Sequence, residues 1–395
     1  RGGQYSAMSL LQMLRSVVIR LNGDRNTLFD VPMARQKAIL EGLPEPKDLL
    51  KRAYAQYRCQ MMLERPILRA GYQLAAMLLL PVYRRQLLRR PVSRKEETAD
   101  AVFAFGGPDT ILPCSLRQEY PGIRQVRDFQ NALFLTREDC SFLRELARRY
   151  PTAFYFRFKC MAKLAMYRSL YETYRPKAII VSEEYSYTSS FLTEYCHRLG
   201  VEHINVMHGD KLYDIHDTFF CFDRCYIWDQ FYRDLFCELR AEPTQFRMEM
   251  PPSMQPWDAQ DVEKAVDYTY YLQAETSQML EKIAKSLQTL QKSGAVVAVR
   301  PHPLYSDMET VRRLFSDFEI EETAEVGIET SILRTRHVIG LYSTVLYQAH
   351  INHVPVVIDD LTAPERFAQL KSLRYIMLDK PHGLLSALLQ EESPT

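Results

Sequence analysis

The stretch that decides the fold is Ala295-Val296-Val297-Ala298-Val299-Arg300-Pro301-His302-Pro303. Its five apolar residues follow a Lys-Ser-Gly turn and predict a buried strand, and polar residues come directly after it. A second predicted strand, Val338-Ile339-Gly340-Leu341, leads into Tyr342-Ser343-Thr344 and an apolar helix over 345–353. Open α/β sheets bind ligands in the loops at strand ends. We therefore expect a nucleotide or phosphate site here.

Strands and helices alternate through most of the chain, which predicts an α/β fold with parallel sheets. The expected strands are 101–105, 178–182 and 203–207 in one half, and 295–299, 317–321, 337–341 and 354–358 in the other. A long helix over 259–292 is expected between the two halves. Prolines 243, 251, 252 and 256 mark the best boundary. The prediction is a helical region at 1–95, a Rossmann-like domain at 96–243 and a second, nucleotide-binding Rossmann-like domain at 244–395, with the two domains facing a cleft.

Composition and absent motifs exclude several classes of function. The 395 residues carry a net charge of +1, with 25% charged and 47% hydrophobic residues, so we expect no nucleic-acid partner. Eight cysteines without a CxxC pair indicate reduced thiols and a cytoplasmic location. Cys221 and Cys225, with His216 nearby, are interpreted as core residues rather than a metal site. Neither GxGxxG nor GxxxxGK[ST] occurs, which disfavours dinucleotide oxidoreductases and P-loop NTPases.

The segment 74–95 joins an apolar run to a basic cluster. The run over 74–82 has only nine residues and cannot span a bilayer, which takes about 20. Arginines 84, 85, 89, 90 and 94 and Lys95 lie close behind it. Two interpretations stay open: a core helix with a solvated basic end, which we favour, and a peripheral contact with the inner face of the cytoplasmic membrane.

Two motifs predict the donor-binding half of a site. Prolines on both sides of His302 restrict the backbone and hold the imidazole in one direction, while Arg300 offers a second positive charge to a phosphate. Ser343 and Thr344 stand where a helix must begin, so they are expected to cap it. A helix N-terminus with hydroxyl groups also suits an anion. We assign Arg300, His302, Pro303, Tyr342, Ser343 and Thr344 to donor binding.

Two motifs after strands of the first half predict the catalytic residues. Glu183 and Glu184 form an acidic pair in which each carboxylate would raise the pKa of the other, which suits a general base; helix capping is the alternative. His208, presented beside a flexible glycine, is a second candidate base. Gly209, Asp210 and Lys211 are assigned to acceptor binding. His216 and Asp217 are interpreted as surface polar residues.

These motifs, in this order, resemble GT-B glycosyltransferases of bacterial surface-polysaccharide assembly. Bacterial sialyltransferases and polysialyltransferases have a similar acidic pair, HP motif and Ser/Thr pair, while capsule Kdo transferases and teichoic-acid transferases are also similar, the latter in the HG and RxHP elements. The resemblance covers about 175–360. It implies that His302, Ser343 and Thr344 hold the phosphate and ribose of CMP, and that Glu183 or Glu184 deprotonates an acceptor hydroxyl. Tyr185 departs from the glycine usual in the sialyltransferases.

The chain lacks a DxD motif, which disfavours a metal-dependent GT-A enzyme. We expect no metal and no cofactor, with a nucleotide-activated sugar as the substrate. We expect an inverting glycosyltransferase that uses a CMP-activated acidic sugar and a glycan or glycolipid acceptor. A CDP-polyol or another nucleotide sugar is the alternative donor. A non-catalytic nucleotide sensor of the same fold also stays open, as does a nucleotide-sugar epimerase with Asp359 and Asp360 as its second pair of acids.

Overall fold

The computed structural model describes residues 31–89, 98–104, 109–126, 133–258 and 262–391. It contains two six-stranded sheets, and every strand pair in them is parallel. The described helices flank these sheets or precede them. The predicted α/β class with two Rossmann-like domains facing a cleft, the GT-B fold, is therefore confirmed.

The first sheet has the strand order β2-β1-β3-β4-β5-β6. Its strands are β1 (Ala101–Ala104), β2 (Ile123–Val126), β3 (Ala178–Val181), β4 (Glu202–Val206), β5 (Arg224–Ile227) and β6 (Phe246–Met248). Its helices are Cys114–Glu119, Arg137–Arg149, Phe154–Tyr174, Ser189–Leu199 and Gln230–Glu238. β3 is buried along its whole length because helices cover both faces of a parallel sheet. β6 pairs with β5, so this sheet extends past the predicted boundary at 243.

The second sheet has the order β12-β11-β10-β7-β8-β9. Its strands are β7 (Val266–Tyr271), β8 (Val297–Arg300), β9 (Glu319–Ile320), β10 (Thr335–Gly340), β11 (Val356–Ile358) and β12 (Gly383–Leu384). Its helices are Ser277–Lys292, Met308–Leu314, Ile328–Leu333, Thr344–Ile351, Pro364–Ser372 and Leu385–Glu391. Counted from β7, this is the Rossmann order 3-2-1-4-5-6, and its topological switch point lies between β7 and β10.

The predicted long helix over 259–292 is wrong. Residues 259–261 lie outside the described residues; beyond them, Val266–Tyr271 forms β7, and only Ser277–Lys292 is helical. β7 consists largely of tyrosines and β-branched residues, which favour strands. It lies at the centre of the sheet between β8 and β10. Missing it hides the loop that follows β7 from the sequence prediction.

The N-terminal region is helical over its described part, as predicted, with helices Met33–Glu41, Leu49–Leu63 and Pro66–Arg89. The helix Leu49–Leu63 packs on the first domain, where the buried Gln56 donates hydrogen bonds to the carbonyls of Glu184 at 2.9 Å and His216 at 2.7 Å. The favoured interpretation of 74–82 as a core segment is wrong, because Leu74, Leu78 and Val82 are exposed. The basic residues 90–95 lie outside the described residues.

The two domains contact one another directly. Trp228 of the first domain stacks on Tyr347 of the second, with ring centroids 6.1 Å apart. Asp229 accepts a hydrogen bond from the Tyr347 hydroxyl at 3.1 Å and pairs with Lys380 at 2.8 Å. One hydrophobic cluster contains residues of both domains, so the carboxyl ends of the two sheets are held near each other.

Candidate functional site

A pocket of about 470 Å³ opens at the switch point of the second sheet. Residues that follow β7, β8 and β10 line it, as expected for ligand sites in open α/β sheets. The lining comprises Tyr271, Leu272, Gln273, Arg300, Pro301, His302, Pro303, Thr323, Gly327, Ile328, Ser343, Thr344 and Val345. Five of the six residues predicted for donor binding thus meet in one pocket, and the sixth, Tyr342, lies at its border with the first domain.

His302 is held in a single orientation at the mouth of this pocket. Its backbone N–H donates to the Ser306 hydroxyl at 2.8 Å, and its Nδ1 accepts from the Leu304 N–H at 3.1 Å. The ring stacks on Tyr305 with centroids 4.4 Å apart. Burial lowers the pKa of His302. The imidazole is therefore neutral near pH 7 with its proton on Nε2, which can donate to a phosphate oxygen.

Ser343 caps the helix Thr344–Ile351 as predicted, because its side chain accepts from the Val345 N–H at 3.2 Å. The Ser343 hydroxyl also accepts from Gln273 Nε2 at 3.1 Å. Gln273 follows β7, so the sequence prediction missed it. It joins the two loops on either side of the switch point and places an amide beside the helix N-terminus.

Arg300 lines the pocket, but its side chain is turned into the domain. It is 6% exposed, and its guanidinium lies 3.5 Å from the carboxylate of the buried Glu321. Glu321 also accepts from Arg334 at 2.6 Å and 3.0 Å. The predicted contact between Arg300 and a phosphate would have to compete with this ion pair.

In the first domain, the acidic pair after β3 does not behave as two carboxylates that repel each other. Glu183 pairs with Lys163 at 2.5 Å, and Glu184 forms a separate ion pair with Lys211. Asn205 lies between them: its Oδ1 accepts from the Glu183 N–H at 2.8 Å, and its Nδ2 donates to Glu184 at 3.2 Å. Two separate lysines thus neutralise the pair, and sequence spacing could not show this.

Glu184 is fully buried. Burial alone would raise its pKa, but the charge and hydrogen bond of Lys211 outweigh burial and lower it. The prediction that the acidic pair has a raised pKa is therefore wrong for Glu184. This carboxylate is ionised near pH 7, but its cationic partner makes it a weak base.

His208 follows β4 and has a different environment. Its Nδ1 lies 2.6 Å from the Ser182 hydroxyl, while the residue as a whole is exposed. Partial burial, together with the charge of Lys211, outweighs Glu184 and lowers the pKa of His208. Gly209, at φ +69°, makes the left-handed turn that directs the chain away after the histidine. A neutral, oriented and accessible imidazole is the result.

Asp210 and Lys211, predicted to bind the acceptor, mainly support this loop. The Asp210 carboxylate accepts from the Tyr232 hydroxyl at 2.9 Å, and burial raises its pKa to about 6. The Lys211 side chain is only 14% exposed and is paired with Glu184. Asp217 is buried, contrary to the prediction of a surface residue, and burial raises its pKa to about 7. His216 is half-buried and contacts Asp214 at 2.6 Å.

Tyr342 connects the pocket of the second domain to the His208 loop of the first domain. Its hydroxyl donates to the backbone carbonyl of Asp210 at 3.3 Å, and its ring lies 5.1 Å from that of Tyr375. The loops after β4 and β10 thus meet across the cleft. The His208 loop of the first domain and the pocket of the second domain belong to one candidate site.

Several other predicted features can be placed. Asp359 accepts from the Tyr270 hydroxyl at 2.6 Å and from two backbone N–H groups, and Asp360 accepts from Ser386, so both acids stabilise a turn.

Within the described ranges, no group of three His, Cys, Asp or Glu side chains is placed to hold a metal ion. Metal independence stays a prediction. In the same ranges, no helix is long and apolar enough to cross a membrane.

No family model matches the chain, and no curated protein matches it. Among solved structures, the chain is similar to the wall teichoic acid polymerase TagF, with 12% identity, a TM-score of 0.44, and 84% of this chain and 89% of that chain covered. It is also similar to UDP-N-acetylglucosamine 2-epimerase from Rickettsia bellii, with 11% identity, a TM-score of 0.42, and 75% and 94% covered. The Methanocaldococcus jannaschii epimerase, solved with UDP-GlcNAc and UDP, has 11% identity and a TM-score of 0.43, with 69% and 92% covered. These likenesses concern the fold.

Proposed function

We propose that the protein is an inverting, metal-independent glycosyltransferase that moves a sugar from a CMP-activated acidic donor to a glycan or glycolipid acceptor. The observation that carries this proposal is the neutral, accessible His208, bonded to Ser182, in the loop that meets the nucleotide-sized pocket at the Tyr342–Asp210 contact. The site thus offers a base and an anion-binding pocket in separate domains, which is the division of labour that group transfer across a cleft needs.

The second domain supplies the groups for the donor phosphate. His302 has its Nε2–H available, Ser343 and Thr344 offer hydroxyl groups, and the helix Thr344–Ile351 directs its N-terminus to the same pocket. Together they would bind the donor phosphate and stabilise the negative charge that develops as it leaves. Arg300 contributes positive potential from behind the pocket rather than a direct contact.

His208 is the proposed base, and Glu184 is its electrostatic neighbour. When Nδ1 of His208 donates to the Ser182 hydroxyl, the lone pair on Nε2 is available to remove the acceptor proton. The acceptor oxygen then forms a bond to the anomeric carbon while the bond from that carbon to the phosphate oxygen breaks. The proton ends on His208, and the electron pair leaves with the nucleotide. A single displacement of this kind inverts the anomeric configuration.

A CDP-polyol donor is the second candidate, favoured by the histidine base. The acidic pair that resembles the sialyltransferase motif is engaged with Lys163 and Lys211, whereas the His208-Gly209 element, which resembles the teichoic-acid enzymes, holds the accessible base. In that reaction the acceptor oxygen would attack the β-phosphorus, and CMP would leave. The two candidates share the base and the pocket and differ in the atom attacked.

A ligand and donor screen tests the proposal. In thermal-shift measurements with CMP, CDP, UDP and GDP, a cytidine nucleotide should stabilise the protein most. The effect is large enough to measure, because a ligand at 100 times its Kd stabilises by about 2.7 kcal/mol. Incubation with CMP-sialic acid, CMP-Kdo, CDP-glycerol and CDP-ribitol then reports donor consumption. His208→Ala should keep nucleotide binding and lose turnover, whereas His302→Ala should weaken both.

The exposed His382, whose Nδ1 lies 2.8 Å from the Lys380 carbonyl, provides the matched control as His382→Ala. Full turnover in His208→Ala would overturn the assignment of the base. Cytidine-nucleotide binding without consumption of any donor would favour the nucleotide sensor. A response to none of the four nucleotides would overturn the proposed donor class.

A further inference from the structure

The helix Pro66–Arg89 has one face without a protein partner among the described residues. In the described part of the chain, thirteen large hydrophobic side chains are exposed, and six of these thirteen lie on the helix Pro66–Arg89. The six are Ile67 at 86%, Leu74 at 57%, Met77 at 42%, Leu78 at 62%, Val82 at 55% and Leu88 at 44% exposure. At about 100° per residue, they fall within an arc of about 140°. They form a continuous apolar stripe, which we call the apolar face.

The opposite face of the same helix is well packed. Ala76 and Leu87 are buried, and the Tyr72 ring stacks on Tyr155 with centroids 5.0 Å apart. Gln73 accepts from the Tyr155 N–H at 3.1 Å. These contacts join the helix to the helix Phe154–Tyr174 of the first domain. The apolar face is therefore directed away from the domain, since these contacts with described residues are made on the other side of the helix.

Charge indicates what covers the apolar face. The helix contains four arginines and no acidic residue. Arg85 and Arg89 are exposed and fall within the arc of the apolar face, at the end of the helix from which the basic run continues in the sequence. Long arginine side chains can extend from an apolar surface towards phosphate groups. An apolar face that carries arginines at one end suits an anionic lipid surface, where acyl chains lie beneath headgroup phosphates.

We propose that the apolar face of Pro66–Arg89 lies in the plane of an anionic lipid bilayer, with Leu74, Leu78 and Val82 among the acyl chains and Arg85 and Arg89 among the headgroup phosphates. The contact lies on the protein surface and leaves the helix attached to the first domain through its packed face. It is independent of the proposed transferase reaction.

Vesicle co-sedimentation of the full chain tests this. The probes are phosphatidylcholine vesicles and vesicles of phosphatidylcholine with phosphatidylglycerol, each at low and at high salt. The wild-type protein should bind the anionic vesicles, and high salt should weaken this binding. Leu74→Gln/Leu78→Gln/Val82→Gln should reduce the affinity at least 100-fold, because these side chains leave water on binding. Arg85→Gln/Arg89→Gln should reduce affinity for anionic vesicles about 30-fold, at about fivefold per arginine.

Met248→Gln/Val296→Gln is the matched control, since both residues are exposed and apolar but lie on the two sheet domains. It should bind as the wild type does. Circular dichroism and thermal melts should show that all variants fold, as expected for changes at exposed positions. Failure of the wild type to bind anionic vesicles would overturn the proposal. So would equal binding by the triple variant, or an affinity that does not depend on the phosphatidylglycerol content.

Analytical ultracentrifugation distinguishes the other occupant of the face. The wild-type protein should sediment as the triple variant does. A dimer in the absence of lipid that the triple variant abolishes would overturn the proposal and assign the apolar face to a second copy of the chain.

Discussion

Replacing Lys211 by methionine should strongly destabilise the first domain. In the wild-type protein, Lys211 neutralises Glu184, which is fully buried, and lies beside the buried Asp217. Methionine fills a similar volume but leaves the Glu184 carboxylate without its cation. Removing one partner of a buried ion pair costs about 3–5 kcal/mol. A loss of this size would lower the melting temperature by several degrees or more.

The loss of stability in Lys211→Met should be larger at pH 7 than at pH 5. The pKa of Glu184 is lowered in the folded wild-type protein, so its contribution to stability is present above the unfolded pKa and is lost as the pH falls through the folded value. Without Lys211, burial dominates and raises the pKa of Glu184 above the unfolded value. The variant should therefore lose more stability at pH 7 than at pH 5, where the carboxyl group can take up a proton.

The assay is thermal unfolding followed by tryptophan fluorescence, which reports on Trp228 in the first domain and on Trp257. Lys211→Met should melt well below the wild type, and the difference should shrink from pH 7 to pH 5. Lys211→Met/Glu184→Gln should recover most of the loss, because it removes the unpaired charge. Lys285→Met, at an exposed lysine of the second domain, is the control. A loss below 1 kcal/mol in Lys211→Met, or no recovery in the double variant, would refute the reasoning.

Three further predictions concern the loops of the site. Ser182→Ala should lower turnover about tenfold with little change in nucleotide binding, because the His208 ring loses the hydrogen bond that orients it. In the wild-type protein, the pH–rate profile should reach its plateau by pH 7, because the pKa of His208 is lowered below its ordinary value near 6.5. Gln273→Ala should weaken nucleotide binding in a thermal-shift titration, whereas Gln291→Ala, on the outer helix Ser277–Lys292, should not. Gly209→Ala should lower the free energy of unfolding by about 1 kcal/mol in thermal melts. An added Cβ would meet no atom within 4 Å, so the cost is the backbone strain of a non-glycine residue at φ +69°; unchanged stability would contradict this.

The alternation of apolar runs and helical segments predicted most of this architecture. The strands around 178–182, 203–207, 295–299 and 337–341 are present with shifts of one or two residues. Such buried strands are continuous apolar runs, which stand out in a sequence. β7 was missed because it lies between prolines and a strongly helical stretch, and its tyrosines did not form an apolar run. The omission also hid Gln273.

The site was predicted in part, and the reason differs for each domain. His302 lies between prolines and Ser343 caps a helix, so the placement of these two proposed donor-binding residues depends on local backbone geometry and could be predicted from their neighbours in sequence. The acidic pair depends on distant residues. Lys163 lies 20 residues away from Glu183, and Lys211 lies 27 residues away from Glu184, on other elements. Their ion pairs change the expected base from a glutamate to His208.

The sequence by itself determined the two parallel sheets, the loops at their strand ends and the residue types in those loops. These features follow from hydrophobic periodicity and local turn chemistry, which act between neighbouring residues. Only the tertiary structure decided which charges are paired, which histidine is neutral and accessible, and that the helix Pro66–Arg89 leaves an apolar face exposed. Burial and ion pairing depend on what is close in space. The ion pair between Lys211 and Glu184 and the hydrogen bond between Tyr342 and Asp210 form only in the folded chain.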